Sequence, residues 1–167
     1  MRVDNEAHFQ KWMTKVFLPI VSDGTIISSD GNNANGVSDI TWIVPNRGIF
    51  AIELKFTKIK GRGGNSKLLH GHSLSSLQSL FLKRWASASS EREACLVVGT
   101  DLGEVVFFSG EIVFSRNVNI ISSHERSVRS NAMVNNVVGK TSLEMQSSIE
   151  LSNEIDNLRN FLFEEQE

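Results

Sequence analysis

The sequence predicts an α/β fold, a mixed central sheet flanked by helices with a C-terminal extension. Three observations predict it. Apolar residues recur at helical spacing in two places, Phe9, Trp12, Met13, Val16 and Phe17, and again Leu74, Leu77, Phe81 and Trp85. Two apolar runs, Ile40-Thr41-Trp42-Ile43-Val44 and Ile49-Phe50-Ala51-Ile52, are joined by the turn-forming Pro45-Asn46-Arg47-Gly48, the pattern of a β-hairpin. Two more β-type runs, Ala94 to Val98 and Glu104 to Phe108, flank Thr100-Asp101-Leu102-Gly103 as a second hairpin. With a short strand before the first hairpin, the order begins helix, strand, strand, strand, helix, strand.

Each element has a local reason. Asp4 or Asn5 can cap a first helix that runs to about Phe17. Gly24-Thr25-Ile26-Ile27 makes a short strand, and the Gly/Asn-rich stretch 30–36 is a loop that delivers the chain to Asp39. Residues 60–66 hold three glycines and no apolar periodicity, so they predict a mobile loop. Ser73 or Ser75 opens the second helix, which continues to about Ala88. Residues 1–110 thus form the core and residues 111–167 an extension packed on the same domain. In that extension Ile112-Val113-Phe114 and Val118-Asn119-Ile120-Ile121 are candidate strands, and the polar stretch from Ser122 to Gly139 predicts loop. Leu151, Ile155, Leu158 and Leu162 mark a closing amphipathic helix. Three partners are open to it: its own sheet, a second copy of the chain, or the basic belt described below.

Composition bounds the function. A chain of 167 residues with 40% hydrophobic content supports one core but not two comfortable domains. No apolar run approaches the roughly 18 residues that cross a membrane, and the start lacks the apolar segment of a signal peptide. A single cysteine, Cys95 in an apolar run, reads as a buried structural thiol in a reducing, cytoplasmic setting. The net charge of −2 conceals an uneven distribution. From Leu54 to Ser90 there are seven basic residues and no acidic one, Lys55, Lys58, Lys60, Arg62, Lys67, Lys83 and Arg84. Seven acidic residues crowd the chain from Glu144 onward. A basic belt of this kind suits a phosphate backbone.

The chemistry lies in Ser38-Asp39, Glu53-Leu54-Lys55 and Gln78. Residues two apart on a strand share a face, so Glu53 and Lys55 point the same way and the hairpin returns Asp39 beside them. Two carboxylates and an ammonium gathered in this way suit a hard cation and phosphodiester cleavage. An apolar strand ending in Glu53 also needs explaining, because an unpaired buried carboxylate is costly. His70-Gly71-His72 has no third ligand at zinc spacing, and is read as loop or phosphate contact.

The set S-D-x13-E-L-K, with Glu6 in a leading helix and Gln78 in the next, resembles the PD-(D/E)xK nuclease superfamily over about residues 1–100. The pattern is most similar to compact phage-type VRR-Nuc and Holliday-junction resolvase-like endonucleases. Ser38 stands where the family usually has Pro. The resemblance implies a restriction-endonuclease-like αβββαβ core and a catalytic set of Asp39, Glu53, Lys55, Gln78 and Glu6. Asp39, Glu53, the Leu54 carbonyl and Glu6 would face Mg²⁺, with Mn²⁺ able to substitute. Lys55 would hold or deprotonate a water and Gln78 would position Lys55, a water or a phosphate oxygen. Lys58, Lys60, Arg62, Lys67, His70, His72, Lys83 and Arg84 would contact DNA.

The expected activity is metal-dependent DNA endonuclease, selective for branched or distorted duplex, in a homodimer and in host cytoplasm if phage-encoded. A twofold dimer follows if two strands of a junction are cut symmetrically. No Walker loop or helicase motif calls for a nucleotide cofactor. The chain has no Tyr, and Leu82 stands where RecB- and Cas4-type exonucleases carry one after the Gln. Restriction-like or nicking activity is the alternative, and a non-catalytic DNA-binding module is the alternative of another class.

Overall fold

Asn5, not Asp4, opens the first helix, its Oδ1 accepting the His8 N–H at 2.9 Å. In this computed structural model, which describes residues 2–29, 37–59, 74–109, 127–130, 133 and 148–163, the helix outlasts its expected end at Phe17. Helix α1 (Glu6–Trp12) passes through a π turn at Met13–Phe17 into α2 (Leu18–Val21). The Leu18 N–H bonds back to the Met13 carbonyl, the wide spacing of a π turn, and Pro19, which has no N–H to donate, follows directly in α2. The apolar spacing is realised as a buried stripe of Phe9, Trp12, Met13, Phe17, Leu18 and Val21. Trp12 stacks on Phe17 with ring centroids 5.0 Å apart.

Among the described residues, six strands form one mixed sheet in sequence order: β1 (Thr25–Ser28), β2 (Ile40–Val44), β3 (Gly48–Thr57), β4 (Arg92–Thr100), β5 (Val105–Ser109) and β6 (Ser127–Ser130). Neighbours are antiparallel except β3 and β4, which run parallel and are connected through α3 (Ser76–Ser87). The expected hairpin is present, and Gly48 opens β3 just past its turn at φ 141°, a conformation that other residues rarely adopt. The second hairpin, β4 to β5, is present as well. Strand β3 is longer than the apolar run suggested. It continues through Glu53 and Lys55 to Thr57, which places both residues inside a central strand rather than at its end. The polar stretch expected to be loop contains β6, because backbone pairing with β5 needs no apolar side chains. The candidate strands at 112–114 and 118–121 lie outside the described residues.

The sheet separates two apolar layers. On one face Phe50, Ile52, Leu54 and Phe56 of β3 meet the α1 and α2 side chains. The closing helix, α4 (Ser148–Phe163), covers the same face with Ile155 and Leu158 buried, so it packs on its own sheet. Arg159 fastens it, donating through Nε to the Val21 carbonyl at 2.7 Å and through Nη2 to the Ile20 carbonyl at 3.0 Å. On the other face Ala51, Ala94, Leu96, Val98, Val106 and Phe108 lie under α3, with Leu74 and Leu82. The helix is rotated from its expected orientation, since Leu82 is buried and Leu77 is 56% exposed. Its inner row is Gln78, Phe81, Leu82, Trp85 and Ala86, set by the capping contact of Gln78 and by Trp85 Nε1 donating to the Ile49 carbonyl at 3.4 Å.

Candidate functional site

The β2–β3 ladder pairs Ile40 with Ile52, which puts Asp39 across from Glu53 at the mouth of β2. Alternation then decides the faces. With Ile52 and Leu54 in the apolar layer under α1, Glu53 and Lys55 point to the α3 side. Glu53 is 1% exposed and Lys55 is also buried.

Glu53 Oε1 is the focus of the site. Lys55 Nζ donates to it at 3.1 Å, and the Gln78 amide nitrogen donates to the same oxygen. Asp39 is held at both ends. Its Oδ2 accepts the Leu54 backbone N–H at 2.8 Å, while its carbonyl accepts the Ser29 N–H at 2.9 Å and Gln10 Nε2 at 3.1 Å. Helix α1 therefore reaches the site through Gln10, which also donates to the Ser29 carbonyl.

The electrostatics follow from burial. Desolvation, and next the Asp39 charge, push the Glu53 carboxyl up from 4.5 to about 7, although Lys55 pulls it down. Desolvation also raises Asp39, against the Leu54 N–H and the Lys55 charge. Glu6 is exposed in the first turn of α1, and its charge raises both carboxyls. Glu53 is buried and Asp39 half-buried; the Asp39 charge raises Glu53, whereas a hydrogen bond with Glu53 lowers Asp39, so the pair suits a shared proton or a cation between them.

Of the residues expected to act together, the structure brings Asp39, Glu53, Lys55 and Gln78 into one connected group. Gln78 contacts Glu53, rather than Lys55 as one of the expected roles had it. Glu6 joins through its field, and Leu54 contributes its N–H to Asp39. Among the described residues, no three His, Cys, Asp or Glu side chains are clustered as a metal-holding group. Asp39 and Glu53 nonetheless fit Mg²⁺, which keeps several waters and needs only one or two carboxylates.

Lys58 is exposed just beyond β3, and Lys83 and Arg84 are exposed on α3. Lys60, Arg62, Lys67, His70 and His72 lie outside the described residues. Cys95 is buried, with its thiol pushed up to about 12 by desolvation, and is inert as a nucleophile. No helix among the described residues is long and apolar enough to cross a membrane.

Sequence reasoning missed one support, Gln10, which gave no signal, since a polar residue in an amphipathic helix is unremarkable until its partner is known. Of the two serines expected to open the second helix, Ser75 is the cap, and Ser75-Ser76-Leu77-Gln78 forms a capping box whose Gln78 also reaches the site. No family model, no curated protein and no solved structure matches the chain.

Proposed function

We propose that this chain is a divalent-metal-dependent endonuclease of the PD-(D/E)xK type, hydrolysing phosphodiester bonds in DNA. The observation that carries the reading is the placing of Asp39, just ahead of β2 and bonded to the Leu54 N–H, across from Glu53 on β3, with Lys55 bonded to Glu53. Both carboxyls have raised proton affinity, chiefly from burial, an electrostatic setting that a bound cation would relieve.

Asp39 and Glu53 would hold Mg²⁺, or Mn²⁺ in its place. Bound there, the ion would supply Lewis-acid activation of the phosphate and of a water. The remaining work belongs to the chain. Lys55 shares Glu53 Oε1 and stands close enough to orient a water and to stabilise charge that builds on the phosphate oxygens. Gln78 fixes Glu53 without adding charge. Lys58, Lys83 and Arg84 offer exposed cations to a DNA backbone, so recognition rests on shape and phosphate contacts rather than on base edges. Branched or distorted duplex is the substrate this favours. A homodimer is required if cleavage is symmetric.

The test is incubation of labelled four-way junction, flap, duplex and single-stranded DNA with Mg²⁺, beside Glu53→Gln and a chelator control. Cutting that needs both the ion and Glu53 supports the reading. Paired symmetric nicks in the junction identify a resolvase-like dimer, and cutting of plain duplex a restriction-like or nicking enzyme. DNA retained equally in chelator, with no cutting of any substrate, overturns the reading in favour of a binding module.

A further inference from the structure

Gln78 occupies two structures at once. It is the third residue of α3, where its backbone N–H bonds to Ser75 Oγ at 3.1 Å and its side-chain carbonyl accepts the Ser75 backbone N–H at 2.9 Å. Its amide nitrogen meanwhile donates to Glu53 Oε1. A Gln amide has one oxygen that accepts and one nitrogen that donates, so these partners decide which way it faces. Turned over, it would set its donors against the Ser75 N–H and its carbonyl against the Glu53 carboxylate. Both contacts would be repulsive.

We propose that Ser75 is a positioning residue for the Glu53 site, its backbone N–H holding the Gln78 amide so that the nitrogen faces Glu53 Oε1. This rests on the reading of Glu53 as the working carboxylate. With Lys55 and Gln78 both on Oε1, the other oxygen of Glu53 is the one the site presents to an incoming ion or water. The start of α3 thereby sets the orientation of the carboxylate, and the hydroxyl and the N–H of one serine have separate duties. The hydroxyl caps the helix, and the N–H aligns the site.

The backbone of Ser75 allows the two duties to be tested apart. Its φ of −68° and ψ of 160° are values that proline adopts. Ser75→Ala removes the hydroxyl and keeps the N–H, whereas Ser75→Pro removes both. The readouts are the NMR resonances of the Gln78 side-chain NH₂ in the whole chain, and kcat and KM for a DNA duplex with Mg²⁺. Ser75→Ala is expected to melt earlier, with the NH₂ resonances in place and kcat lowered by no more than about threefold, since a lost cap acts on stability. Ser75→Pro is expected to move those resonances and to lower kcat about tenfold to a hundredfold, the usual effect of losing a second partner in such a site, with KM little changed.

If the two variants behave alike in both readouts, Ser75 is only a cap and the proposal is overturned. Should Ser75→Pro fail to fold, exchange of the Ser75 amide hydrogen decides. It is expected to quicken about tenfold in Gln78→Ala, as when one hydrogen bond is lost. An unchanged rate overturns the proposal. Wild type that cuts no DNA overturns the nuclease reading alone, because the NH₂ resonances and the exchange rate still decide the role of Ser75.

Discussion

Asp39 accepts the backbone N–H of Leu54 at 2.8 Å, so the residue just ahead of β2 is tied to the strand that carries Glu53 and Lys55. The bond fixes the spacing of the two carboxyls without consuming both Asp39 oxygens. An Asn at this position could still accept the N–H. Asp39→Asn is therefore expected to change stability by less than about 1 kcal/mol, measured by urea unfolding. If Asp39 holds the ion as proposed, DNA cleavage with Mg²⁺ is expected to fall by about a hundredfold or more, because that ligand's charge is gone. Wild-type turnover in this variant would remove Asp39 from the site.

The raised Glu53 carboxyl makes the metal-free protein sensitive to pH. Between about 4.5 and about 7 the folded chain holds a proton that the unfolded chain has released. Its contribution to stability is full below the lower value and is lost as pH rises through the upper one. Asp39, raised as well, acts in the same direction. In chelator, the unfolding free energy is expected to fall by on the order of a few kcal/mol across this window. Glu53→Gln is expected to flatten most of that slope, and Mg²⁺ to stabilise wild type increasingly above about pH 7. A slope that survives Glu53→Gln would assign the effect to other groups.

Gln10 supports Asp39 from behind. Gln10→Ala removes donors to the Asp39 and Ser29 carbonyls and is expected to cost about 1 kcal/mol, since the Ser29 N–H still serves Asp39. Cleavage is expected to drop about tenfold to a hundredfold through loss of alignment. Equal losses of stability and activity in a surface control such as Lys11→Ala would show that the effect is not specific to Asp39.

Gly99 lies where α1 presses on the sheet. A Cβ there would come within 2.7 Å of the Phe9 ring, which is itself fully buried and stacked toward Trp12. Gly99→Ala is expected to destabilise the fold by about 1–3 kcal/mol, with m-value unchanged, in chemical denaturation. A neutral effect would mean that Phe9 can swing aside.

Local rules made the hairpin, the two core helices and the Asp39–Glu53–Lys55 face legible, because turn chemistry and side-chain period depend on near neighbours. Long-range partners were hidden. The π turn depends on how Pro19 meets the preceding helix, and β6 exists because β5 offers it a free edge. The rotation of α3 was misjudged for the same reason. Leu77 has the hydrophobicity to face inward, but the grip of Gln78 on Ser75 and Glu53 turns the row beside it to the sheet. Gln10 was invisible since its partners are carbonyls of residues 29 and 39, which no side-chain pattern reveals.

The parallel pairing of β3 with β4 carries a kinetic consequence. Asp39 and Glu53 meet across a hairpin, which closes over a few residues and forms on the microsecond scale. Gln78 reaches Glu53 only when α3 has been laid across the sheet and β4 has aligned with β3, a slower event with a larger loop to close. A nascent chain therefore owns its two acids before it owns the amide that orients Glu53. Synthesis has to pass β4 before the assembled centre can exist, and a chain truncated ahead of Arg92 would carry the acids without the frame.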